Sequence, residues 1–270
     1  MSAKLKHLAI VSDDPGRLGR FYQELFSLKG SLPDSPTSAA SISDGYLGLN
    51  VNFRVPGRQA GLDHFGFEVE AVEPILERLR TLYPQVSVLR RPGNRPFAGI
   101  STHDPAGNVF DLSQPQMENR KGVYTEEVQE QDRRVDHVVL RTVDPAGVAR
   151  FYVDVFDLME LERPPSDTSF YLSDGRVTFV IAPWQIADYE GAGIERPALD
   201  HIGFRVESVE ALREELGDLA ARHPELAPRP WKAGDEGEAR RLLLSGCTNG
   251  AYQFSDPDGV LVDVTEHAYL

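Results

Sequence analysis

The sequence predicts an α+β fold made of four βαβββ modules in two similar halves. Three observations carry that prediction. The stretch GLDHFGFEVE at residues 61–70 returns 137 residues later as ALDHIGFRVE. A shift of 130 residues lays KHLAIVSDDPGRLGRFYQELFSL on DHVVLRTVDPAGVARFYVDVFDL without a gap, pairing His7 with His137 and Phe26 with Phe156. Inside the first half, DHFGFEVEAVEPILERL reads as strand, turn and helix, which is the organisation of the opening segment again.

Taken in order, HLAIVS alternates as a half-buried strand does, and PGRLGRFYQELFSL sets Leu18, Phe21, Tyr22, Leu25 and Phe26 at helical spacing. Pro15 stands at the helix start behind two aspartates able to cap it. The runs SAASISDG and YLGLNVNF follow as short strands around an Asp-Gly turn. The same shift of 130 carries Ser43-Asp44-Gly45 onto Ser173-Asp174-Gly175, so the repeat extends beyond the first helix. Residues 115–134 are polar and charged with no apolar period, and they read as a connection between a first domain, 1–114, and a second, 135–270.

Composition narrows the function. Hydrophobic residues make up 41% and charged residues 26%, as in an ordinary globular protein. No apolar run reaches the roughly 18 residues of a membrane helix, and the N-terminus has no signal-peptide core, so a cytoplasmic protein is expected. The net charge of -14 argues against nucleic acid as a partner. A small-molecule substrate is the expectation, with self-association into a homo-oligomer open. A single cysteine, Cys247, excludes both an internal disulfide and a thiolate zinc cluster. Any metal must then sit on imidazole and carboxylate.

Strand alternation places the histidines. Residues two apart share a face, so His64 lies with Gly66 while Phe65 and Phe67 oppose them. Asp111 opposes Phe110 and Leu112. In the second half His201 opposes Ile202 and Phe204, and Asp263 opposes Val262 and Val264. Each sheet thus has an oily face for helices and a polar face for something else.

Paired βαβββ modules, the repeated Asp-His-x-Gly-Phe strand and the terminal DPAGNVFDL and DPDGVLVDV strands resemble the vicinal oxygen chelate superfamily of glyoxalases, resistance proteins and extradiol dioxygenases. The resemblance spans nearly the whole chain and implies two cup-shaped domains of the glyoxalase and extradiol dioxygenase type. It implies a divalent metal held by His7, His64 and Asp111 in one half and by His137, His201 and Asp263 in the other. Both copies carry Asp where the superfamily generally has Glu. Two imidazoles and one carboxylate suit Fe(II) best and also serve Mn(II), Zn(II), Ni(II) or Co(II). In two-domain extradiol dioxygenases the second half holds the iron, which points to His137, His201 and Asp263.

Around these sites the sequence offers Arg90, Arg91, Arg95, Phe97 and His103 as the rim of the first cup, with Arg95, Phe97 and His103 as substrate-binding candidates. The second half is longer between its histidine and aspartate, and KAGDEGEARRLLLSGCTNG reads as a lid over Tyr252, the candidate catalytic residue. The expected function is metal-dependent, dioxygenase-like oxygen chemistry. A glyoxalase-type lyase or isomerase and a non-catalytic binding protein are the competing readings.

Overall fold

Strand β1 (Lys4–Ser12) is almost wholly buried and runs through the middle of the first sheet. The structure is a computed structural model describing residues 3–126, 131–247 and 249–269. Asp14 caps helix α1 (Pro15–Phe26) by accepting the Arg17 N–H, with Pro15 in the first turn. Strands β2 (Lys29–Ser31), β3 (Ala40–Ser43) and β4 (Gly48–Phe53) complete the first module. The second contains β5 (Gly61–Glu68), α2 (Val72–Leu82), β6 (Val88–Arg90), β7 (Ile100–His103) and β8 (Val109–Ser113). The two modules join through antiparallel β1 and β5, giving the strand order β2-β3-β4-β1-β5-β8-β7-β6.

The second half repeats this with β9 (Arg134–Thr142), α3 (Pro145–Phe156), β10 (Met159–Glu160), β11 (Phe170–Ser173) and β12 (Thr178–Pro183). After α4 (Ile186–Ala192) come β13 (Ala198–Arg205), α5 (Val209–Arg222), α6 (Asp235–Ser245), β14 (Tyr252–Ser255) and β15 (Leu261–Thr265). The second sheet has seven described strands, in the order β10-β11-β12-β9-β13-β15-β14. Its last module departs from βαβββ because residues 227–234, APRPWKAG, stand where β6 stands in the first half. Pro228 and Pro230 have no N–H to give a strand ladder.

The oily faces of both sheets meet in one continuous core. Phe26 of α1 stacks on Phe204 of β13 with centroids 3.9 Å apart, and Phe156 of α3 stacks on Phe67 of β5 at 4.9 Å. Each half's first helix is therefore packed onto the other half's sheet. The polar face of each sheet points away from this core. Among the described residues no helix is long and apolar enough to cross a membrane.

Candidate metal centres

Strands β1, β5 and β8 are neighbours, and they deliver His7, His64 and Asp111 to one point on the polar face. His7 Nε2 lies 3.3 Å from His64 Nε2, which lies 3.1 Å from Asp111 Oδ2. The remaining donor atom of each residue is held from behind. His7 Nδ1 shares a 2.5 Å hydrogen bond with the Tyr124 hydroxyl, and His64 Nδ1 lies 2.6 Å from Asp63 Oδ2. The Ser101 hydroxyl donates to Asp111 Oδ1 at 2.5 Å. Outer partners of this kind fix the tautomer and ring orientation of metal-binding imidazoles.

Electrostatics separate the two histidines. Burial, helped by the neighbouring His64, lowers the His7 pKa to about 3, so this imidazole is neutral and free to ligate. Burial also pushes His64 down, but its hydrogen bonds to Asp111 and Asp63 outweigh that and raise it to about 9. Without a metal, a proton on His64 holds the carboxylates together. Burial opposes ionisation of Asp111, yet the His64 hydrogen bond and charge hold its pKa below the usual value.

The second triad is built alike and more deeply enclosed. His137 Nδ1 lies 2.8 Å from Asp136 Oδ2, and His201 Nδ1 lies 2.7 Å from Asp200 Oδ2. Both Nε2 atoms are buried without a hydrogen-bond partner. His137 Nε2 comes within 3.3 Å of Asp263 Oδ2, outside hydrogen-bonding geometry. Asp263 Oδ2 accepts the Asn249 and Gly250 N–H groups, each at 2.8 Å. Orphaned imidazole nitrogens aimed at a carboxylate are what a divalent cation requires, so this donor set fits a metal, as does the first.

The repeated Asp-His-x-Gly-Phe strand can now be read residue by residue. The aspartate holds its own histidine, the histidine is a candidate ligand, and the phenylalanine enters the core. The glycine makes room for a ring, the His137 imidazole in the second half and Phe97 in the first. A Cβ at Gly203 would lie 1.9 Å from His137 Cε1, and one at Gly66 would lie 2.6 Å from Phe97 and 3.2 Å from His7 Cβ.

The two cups differ in what fills them. In the first, Ala9 and Asn50 face each other across β1 and β4, and the cup face of β4 continues with Asn52. The corresponding residues of the second are Val139, Val180 and Ala182, which form a small core with Cys247, Tyr171 and Tyr269. Arg141 fills the rest. It is buried and donates to Asp200 Oδ1, the carbonyls of Pro183 and Leu243, and Cys247 Sγ. Helix α6 closes this cup from outside, where Arg240 donates to Asp200 Oδ1 at 2.6 Å.

The cavities follow that difference. One of about 320 Å³ is lined by His7, His64, Asp111, Asn50, Asn52 and Arg95. A second of about 550 Å³ shares Arg58, His64, Arg95 and Asp111 with it and extends along Arg91 and His103 to Arg196 of the other half. The cleft of about 740 Å³ on the other side reaches Asp200 but none of His137, His201 and Asp263.

Three sequence expectations need correction. Tyr252 pairs with Val264 across β14 and β15, which turns it to the oily face, where its ring meets Arg213 of α5. It cannot act in the cup. Phe97 is not at the rim but fully buried, stacked 4.6 Å from the His7 ring and held at a left-handed φ of 64°. His103 does line the larger cavity, but both of its nitrogens are engaged, by the Ser87 N–H and the Asp104 carbonyl. Arg95 borders both cavities.

Sequence reasoning missed two tyrosines. Tyr124 lies in the segment read as a connection, yet its ring is packed against Gly48 and its hydroxyl on His7. Tyr269 sets its ring edge-on to His137, 5.1 Å away at 89°. One signal for Tyr124 was readable. Aspartate precedes His137, but Lys6 precedes His7, so His7 needed a partner from elsewhere.

Residues 134–264 match the Glyoxalase/Bleomycin resistance protein/Dioxygenase superfamily. No curated protein matches the sequence. In fold, 98% of the chain aligns with 82% of the Mn(II)-bound glyoxalase from Novosphingobium aromaticivorans, at a TM-score of 0.65 and 14% identity. The whole chain aligns with 94% of the 2,3-dioxygenase LapB from Pseudomonas sp. KL28, at 0.64 and 17%. An extradiol ring-cleaving dioxygenase from B. fuscum aligns over 99% of this chain and 73% of its own, at 0.62 and 16%. The second half thus carries that superfamily's sequence pattern, and the chain as a whole shares the fold of these proteins.

Proposed function

We propose that the chain is a divalent-metal-dependent enzyme that works in its first cup, at His7, His64 and Asp111, on a small oxygen-bearing substrate. The observation that carries this reading is access: the first triad opens onto two joined cavities, whereas Arg141, Tyr171 and Tyr269 fill the second cup. Bound there, a divalent metal supplies Lewis-acid polarisation of chelated oxygens, and Fe(II) adds the capacity for oxygen chemistry. The protein does the positioning. Tyr124, Asp63 and Ser101 hold the three ligands, and the Asn50 and Asn52 amides offer hydrogen bonds to substrate oxygens on the cup floor.

Extradiol-type oxygen chemistry is the reaction we favour. A glyoxalase-type site takes a further carboxylate from the cup, and the positions facing this triad carry Asn50, Asn52 and Ser101 instead. Two imidazoles and one carboxylate leave positions open for substrate and oxygen.

Isosteric changes in the two carboxylates test the reading. Asp111→Asn is expected to remove metal from the first cup and abolish oxygen uptake with catechol, while Asp263→Asn retains turnover. Full turnover in Asp111→Asn, with none in a folded Asp263→Asn protein, would move the chemistry to the second half.

A further inference from the structure

We infer that the substrate of the first cup is a carboxylate-bearing chelator, whose charge is read by arginines from both halves of the chain. The inference rests on the first cup being the working site and adds its substrate class.

Among the described residues, Arg91, Arg95 and Arg196 line the larger cavity and form no ion pair. The fourth arginine there, Arg58, is neutralised by Asp63. Three uncompensated cations around one concavity stand out in a chain of net charge -14. The opposite cleft supplies the internal comparison. There Arg240 is paired with Asp200, Lys232 with Glu236, and Arg229 donates to the Asp258 carbonyl. Among the described residues, two of the three cations of that cleft are ion-paired, whereas three of the four arginines of this one are not.

Arg95 borders the cavity that contains His7. Arg196 arrives from the far side, on the segment between α4 and β13, beside Pro197, Ala198 and Leu199 on the same wall. The larger cavity is therefore a pocket between halves, with the triad at one end and Arg196 contributed by the other domain. A guanidinium fork on a concave wall suits a planar carboxylate, with Arg91 and Arg95 half-buried there and Arg196 exposed at the rim. A chelating oxygen pair at the triad and a carboxylate towards Arg196 satisfy both ends.

The test compares catechol with 3,4-dihydroxybenzoate, which adds one carboxylate to the same chelating pair. Binding is measured by anaerobic calorimetry on the full-length, metal-loaded protein. The carboxylate is expected to bind about tenfold tighter or better, with the preference shrinking as salt rises. Arg196→Ala is expected to remove most of that preference at unchanged metal content, and Arg196→Lys to restore part of it. Equal affinity for the two probes in the wild-type protein, failure of both to bind, or a preference that survives Arg196→Ala overturns the inference. The underlying site reading fails differently: Asp111→Asn would then leave metal content as it was.

Discussion

A hydrogen in place of a methyl group leaves room for the His137 ring at Gly203 and for the Phe97 ring, which stacks on His7, at Gly66. Gly203→Ala would put its Cβ 1.9 Å from the His137 ring, so His137 must leave its place between Asp136 and Asp263. Metal analysis of that variant is expected to show loss of second-cup metal with first-cup turnover retained. Asp200 shows the other residue-level device, a buried carboxylate serving Arg141, Arg240 and His201 together. Burial opposes its ionisation, but Arg240, His201 and Arg141 hold its pKa far below the ordinary carboxylate value. A depressed folded-state pKa gives stabilisation that is full at neutral pH and is lost as pH falls below that of the unfolded chain, about 4. Asp200→Asn leaves two buried arginines short of a counter-charge and is expected to destabilise the protein by about 3 kcal/mol at pH 7. Chemical denaturation at pH 7, pH 4 and roughly pH 2.5 checks this, since the difference between variant and wild type should hold to about pH 4 and narrow below it. At this scale much was legible, because a histidine and an aspartate on a strand's polar face declare themselves. That His7 needed a partner was readable, but that Tyr124 supplies it was not, since their contact joins residues 117 apart through the folded chain.

Strands and helices decide which cup is open. The first half's β4 reads GLNVNF and its counterpart β12 reads TFVIAP, so Asn50 and Asn52 line one floor where Val180 and Ala182 line the other. This contrast was present in the sequence once the repeat was aligned, and it is the reason for proposing the first cup as the substrate site. Asn50→Val is expected to weaken substrate binding roughly tenfold without changing metal content, because a buried substrate oxygen loses its partner. Titration of catechol into the metal-loaded variant would show it, and unchanged affinity would remove Asn50 from the site. The Tyr252 error is also one of elements. Its assignment relied on its place beneath the expected lid, but antiparallel pairing opposite Val264 puts it on the wrong face. The lid expectation was closer, for α6 covers the second cup and carries Arg240 onto Asp200.

At the scale of the whole molecule, the repeated Ser-Asp-Gly turn proves to be a fastening between halves. Asp44 Oδ2 accepts the Val135 N–H and Asp174 Oδ2 accepts the Leu5 N–H, each at 2.8 Å, so each half holds the start of the other's central strand. A second reciprocal pair runs through the core, where Tyr22 donates to Asp256 at 2.9 Å and Tyr152 donates to Asp104 at 3.2 Å. Asp256 also accepts N–H groups from Asp258, Gly259 and Val260. Burial nevertheless raises its pKa to about 7. A folded-state pKa above the unfolded value means that Asp256 favours the folded state fully below about pH 4 and progressively less as pH rises through 7. The Tyr22 hydroxyl serves the ionised carboxylate, so its removal matters most once that charge is present. Tyr22→Phe keeps the ring that stacks on Phe204 and is expected to destabilise the protein by about 1–3 kcal/mol at pH 8, and by less at pH 5. If the halves are one cooperative unit, calorimetry of this variant will show a single transition moved to lower temperature. Separation into two transitions would mean that the aromatic core between the sheets is not what makes them fold together.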